Sequence, residues 1–144
     1  MIRKIKTFST LSRARKKMIV QAFGLSIYTS LLFTFFKSKA GFGQKITAQE
    51  INSVGDYSMA DDIAFAISIV SKYTPWKNVC RHQAYQARQL CNYYKIPCLI
   101  FIGFKKENNE IQAHAWTTVG SKIITGFCNP DEYIVQSIYK NQWQ

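Results

Sequence analysis

No aspartate or glutamate precedes Glu50, although residues 1–45 hold ten of the chain's 19 lysines and arginines. Charge pairing within that stretch is therefore excluded, and it is wholly basic. Residues 46–144 carry nine basic against eight acidic groups and are close to neutral. A block of one sign is either a solubilising face or a contact for an acidic partner such as a protein, a peptide or a membrane surface. No nucleic-acid-binding motif accompanies it, so nucleic acid is set aside as a partner. Cysteine is sparse as well. The four are separated by 10, 6 and 29 residues with no CxxC, which excludes a disulfide scaffold and the paired ligands of a structural zinc site. With no clear secretory signal, the thiols read as reduced and the chain as cytoplasmic. Repeats and low-complexity linkers are absent too.

What is present is core-forming material. Hydrophobic residues make up 47% of the 144 and aromatic residues 15%, enough for a single packed domain over residues 1–144. Met18–Phe36 has no charged residue in 19 positions, the lower limit for a membrane span. Gln21, Ser26, Thr29, Ser30 and Thr34 interrupt it, so a buried or peripheral helix is expected, with a true membrane span as the alternative.

Periodicity predicts helices first and strands afterwards. Residues 9–36 form a first helix capped by Ser9 or Ser12, and "KAGFGQKI" breaks it. A second helix starts near Ser58 and stops at Thr74, which Pro75 pushes out of the helical region. A third runs from about Asn78, a candidate cap, to Tyr94. "CLIFIGF" is then a β run, "KKENNE" a turn, and "IQAHAWTTV" an alternating strand. "GS" joins it to "KIITGF" as a hairpin, and residues 131–139 add a strand or an end segment. This is an α+β domain: N-terminal helices, then a small antiparallel sheet.

The chemistry gathers in residues 78–120. Free cysteine is usually buried packing, and Cys91 and Cys98 fit that reading; Cys128, in the loop after the hairpin, stays open. Cys80 opens the third helix, where exposed N–H groups and the positive end of the helix dipole stabilise a thiolate. His82, two positions on, points to another face and is read as a surface or packing residue. His114 sits mid-strand with Trp116 and Thr118 on one face. Strand histidines are mostly satisfied core groups, but this strand belongs to the sheet against which the Cys80 helix packs. A cysteine nucleophile needs such a base.

"TPWKNVCRHQAYQARQLCNYYKIPCLIFIGF" followed by "AHAWTTVGSKIITG" resembles the leader peptidases of lasso peptide biosynthesis, in their short standalone form, within the transglutaminase-like cysteine protease superfamily. The match is close over residues 74–126 and less specific before them. It implies a transglutaminase-like or papain-like core over 46–144, preceded by a basic, partly apolar helical region over 1–45. Cys80 is implied as nucleophile and His114 as base. Many relatives place an aspartate on the strand after the histidine strand; here that position falls on Gly126. Asp131, or Asn129 as a neutral substitute, is the nearest downstream acceptor, and both also read as turn residues around Pro130. The Cys80 N–H is expected as an oxyanion donor, with Trp76 either lining the site, supplying a second donor or simply packing.

The resemblance implies an endopeptidase that removes the leader of a ribosomally made lasso precursor and needs no cofactor or metal. A separate ATP-dependent cyclase then joins the freed amine to an acidic side chain of the core. With no leader-recognition domain expected before the apolar helix, a separate leader-binding protein is implied as partner. Two other readings stand beside this one. One is a non-catalytic, membrane-associated binding module; the other is an acyltransferase that resolves the same acyl-enzyme with an amine.

Overall fold

The computed structural model describes residues 10–36, 41–48 and 57–141. Three helices occupy most of the N-terminal half: α1 (Arg13–Phe35), α2 (Tyr57–Tyr73) and α3 (Cys80–Tyr93). The Ser12 side chain caps α1 by accepting from the Arg15 N–H at 3.2 Å, while Ser9 lies outside the described residues. Five strands complete the fold: β1 (Gln44–Ile46), β2 (Leu99–Glu107), β3 (Glu110–Val119), β4 (Lys122–Thr125) and β5 (Ile134–Lys140). They form one antiparallel sheet in the order β1-β5-β2-β3-β4. The architecture is the expected α+β one.

Two details depart from the sequence reading. "KKENNE" is not one turn. The strands run through Glu107 and from Glu110, and only Asn108 and Asn109 turn, with φ of 51° and 63°. Asparagine tolerates that left-handed backbone, so a two-residue hairpin suffices and the flanking charged residues stay in the ladder. α1 ends at Phe35, and the Gln44–Ile46 part of "KAGFGQKI" is not only a break but supplies β1, which pairs with β5. Residues 131–139 do add a strand, β5, which returns to pair with β2.

The helices share one core. Met18 and Ala22 of α1 pack with Ile63, Ile67 and Val70 of α2, Leu90 and Cys91 of α3, and Val119 and Ile124 of the sheet. α1 is long and apolar enough to cross a membrane by length and composition, yet Met18, Ala22, Ser26 and Thr29 are buried within the fold. Thr29 accepts from Gln86 of α3 at 2.9 Å, which pairs two polar groups inside the core. Between α3 and the sheet lie Ala84, Tyr85, Ile100 and Ala115. The far face of the sheet is covered separately by Ile46, Leu99, Ile138 and Phe101.

Of the two roles open to His82, surface or packing, the structure shows packing. The residue is buried, with its ring edge-on to Phe33 at 4.8 Å. Burial, reinforced by the nearby Arg81 and Lys77 charges, holds its pKa below the ordinary 6.5. The unfolded chain therefore takes up the proton more readily. This stability is present above the ordinary value and is lost as pH falls below it. Thermal melts of wild type and His82→Gln should show the variant losing less stability on mild acidification. Parallel losses would remove His82 from the acid response.

Candidate active site

Cys80 is the first residue of α3, with Val79 as its N-cap. Asn78 does not cap: its side-chain oxygen accepts from Gln86 Nε2 at 3.0 Å, and its carbonyl from Gln83 Nε2 at 2.8 Å. It lies one residue outside the cap position, and two inward-reaching glutamines take its acceptors. The Gln83 N–H closes onto the Val79 carbonyl at 3.1 Å, so the N–H groups of Cys80, Arg81 and His82 have no intrahelical acceptor. A thiol at that position sits among outward-facing donors, on the positive end of the helix.

Cys80, Arg81 and His114 line one cavity of about 350 Å³, walled by Phe42, Ile102, Ala115 and Tyr139. Its walls are apolar, while the cysteine, the arginine and the histidine supply its polar side chains. The cavity lies where the start of α3 meets the middle of β2 and β3, in which Ile102 pairs with Ala115 and Gly103 with His114. Cys80 packs on the Ile102 and Ala115 side. Successive strand residues alternate between faces, so the His114 ring leaves β3 on the other side. There it stacks on Trp116, with centroids 6.3 Å apart, and lies 5.4 Å from the Tyr133 ring. The two residues border the same cavity, and no hydrogen bond joins the thiol to the imidazole.

The partner of the imidazole is a backbone group. His114 Nε2 lies 2.9 Å from the Gly126 carbonyl oxygen. Gly126 has φ of +68°, and a Cβ there would overlap the Ala115 carbonyl oxygen and come within 2.9 Å of Trp116 Cα. Neither Asn129 nor Asp131 bonds to His114. Asn129 caps the exposed turn at Pro130–Glu132, where its Oδ1 accepts from the Asp131 N–H at 3.3 Å and its Nδ2 reaches Glu132 at 3.4 Å. Trp76 does not border the cavity; its ring packs on Phe23 of α1 at 5.6 Å.

The other thiols lie away from the cavity. Cys91 and Cys98 are buried, and a hydrogen bond from the Cys98 thiol to Cys91, together with burial, raises the Cys98 pKa well above its ordinary value. Cys128 is half-buried, and burial and the Glu132 charge raise it also. Among the described residues, no three His, Cys, Asp or Glu side chains come together as metal ligands. The sequence reading missed Arg81 and Tyr139 as cavity walls and Tyr133 as a neighbour of His114. Strand alternation could have supplied Ile102 and Ala115, whereas Phe42 comes from the segment read only as a helix break.

Among known proteins, no curated protein and no solved structure matches the chain. The family model described as the transglutaminase-like superfamily matches residues 38–137, which include β1, all of α3, the strands beside the cavity, Cys80 and His114. The match spans more than half of the sequence, and the chain belongs to the transglutaminase-like superfamily.

Proposed function

We propose that this chain is a cysteine endopeptidase that removes the leader from a lasso peptide precursor. The observation that carries the reading is that Cys80, at the start of α3, and His114, on β3, border one apolar cavity. The sequence resemblance of residues 74–126 supplies the substrate class. In this reading His114 takes the proton of the Cys80 thiol, and the thiolate attacks the carbonyl carbon at the leader–core junction. The Cys80 N–H, free of intrahelical bonding, faces the developing oxyanion. The C–N bond breaks, His114 gives its proton to the leaving amine, and the core departs with a free N-terminus. Water attacks the thioester, giving the leader carboxylate and the free thiol. A separate ATP-dependent cyclase uses the new amine.

The leader arrives on a separate leader-binding protein that docks on α1. Supporting this is a stripe of exposed apolar side chains, Val20, Phe23, Ile27, Leu31 and Phe35, spaced along one helix face. Exposed Arg13 and Lys17 stand at its head. Arg15 belongs to the fold instead, since its guanidinium holds Asp62 of α2 at 2.6 Å.

Mass spectrometry of a precursor incubated with wild type and the leader-binding protein should show separate leader and core. An intact precursor overturns the peptidase, and a leader carried on an amine identifies an acyltransferase. Changing Arg13 and Lys17 together to Gln should abolish capture of the leader-binding protein while leaving flotation with anionic vesicles unchanged. The reverse pattern overturns the docking and assigns the stripe to a membrane surface.

A further inference from the structure

We propose that the Gly126 carbonyl takes the positioning role that a carboxylate plays in a Cys-His-Asp triad, so that His114 works with a backbone orienter. The proposal rests on the peptidase reading above.

A carbonyl oxygen can only accept. With Nε2 at 2.9 Å from it, Nε2 must carry the hydrogen. A neutral imidazole has one N–H, so the lone pair is on Nδ1, and Nδ1 is the atom left able to take a proton. The bond thus selects the tautomer as well as the ring angle. Trp116 and Tyr133, whose rings also lie 5.6 Å from each other, both pack against the same ring.

The residue at 126 has to be glycine for this to work. Its φ of +68° is a left-handed backbone that glycine adopts without steric cost, and a Cβ would overlap the Ala115 carbonyl oxygen. An aspartate at this position cannot enter without moving β3 or β4. The missing carboxylate is therefore built into the local backbone, and the carbonyl stands at the imidazole in its place. The Asn129 side chain is occupied by the Asp131 N–H and by Glu132 on the exposed turn, and the hydrogen bond His114 makes goes to the Gly126 carbonyl and not to the Asp131 carboxylate. A carbonyl is neutral, so it orients the ring without the charge stabilisation that a carboxylate gives an imidazolium.

Two independent readouts test the proposal. Long-range proton–nitrogen NMR of the wild type, under alkaline conditions that keep the ring neutral, should show His114 protonated on Nε2. Protonation on Nδ1 overturns the proposal, and this result does not depend on any substrate. In the leader-release assay, Asp131→Ala and Asn129→Ala should keep wild-type kcat. Gly126→Ala and Gly126→Asp, scored per folded protein, should lose kcat by about 10²-fold with little change in KM, as expected when a base is displaced by an ångström. Loss of activity in Asp131→Ala with Gly126→Ala active would return the role to the carboxylate. Folded Gly126→Ala at full kcat would reduce the bond to a structural one. If the glycine variants do not fold, the wild-type tautomer and the Asp131→Ala rate still decide. A wild type that releases no leader, with the Nε2–H tautomer present, would fail the peptidase reading and leave the histidine–carbonyl pairing standing.

Discussion

A Cys80→Ser protein should release leader at least about 10³-fold more slowly than wild type while melting at nearly the same temperature. A serine hydroxyl at the start of α3 keeps the position and loses the nucleophile, because the reaction needs a thiolate. Selective alkylation should find the same atom. At mildly acidic pH, one equivalent of a thiol alkylator should modify Cys80 first and stop leader release. Cys91 and Cys98 are buried against each other, and burial and Glu132 keep the Cys128 thiol protonated. Peptide mapping by mass after partial labelling reads the order. Wild-type turnover in Cys80→Ser, or modification of Cys128 ahead of Cys80, would remove Cys80 from the chemistry.

Such labelling matters because the sequence located the cysteine better than it located the machinery around it. The change from helical to alternating periodicity after Pro97 was plain, and it placed Cys80 on a helix start and His114 on a strand. Both positions were legible because they depend on local patterns. The Gly120–Ser121 hairpin was legible for the same reason, with Gly120 at φ 57°. What local pattern could not reach was pairing at long range. β1 is three residues long and lies between helices, too short for alternation to register. β5 pairs with β2 across the sheet, so its neighbour was not the strand before it in sequence.

The same limit applied inside the site. Alternation grouped His114 with Trp116, and the structure keeps them together in a ring stack. That grouping also put the ring on the face away from Ala115, against which Cys80 packs, and nothing in a one-dimensional pattern ranks one sheet face against a helix terminus. The orienting partner was hidden for a further reason. Side-chain identities reveal carboxylates and amides, and so attention went to Asn129 and Asp131. A backbone carbonyl carries no letter. The one clue was Gly126 itself, since a glycine at a strand end marks a left-handed backbone or a close approach, and here it marks both.

Trp116 joins the fold to the site, and its loss should be the costliest single change on the far face of the sheet. Its side chain is 2% exposed. It stacks on Phe101 with ring planes 5° apart and centroids at 5.4 Å, and Tyr133 lies against it at 5.6 Å. Gly103 makes room for it, since a Cβ there would come within 3.2 Å of the indole. Trp116→Ala empties this space beneath the segment that carries Gly126 and Tyr133, and should destabilise the domain by about 3–5 kcal/mol. Trp116→Phe refills part of the volume and keeps an aromatic stack, so its loss should be clearly smaller. Denaturant titrations measure both, with matching slopes required for the comparison. The histidine has to respond as well. The indole is one of two rings confining the His114 imidazole, so folded Trp116→Ala should also lose kcat, and Trp116→Phe should restore part of it. A Trp116→Ala domain less than about 1 kcal/mol weaker than wild type would mean that the surrounding strands collapse into the space, and that the far-face stack does not hold the ring.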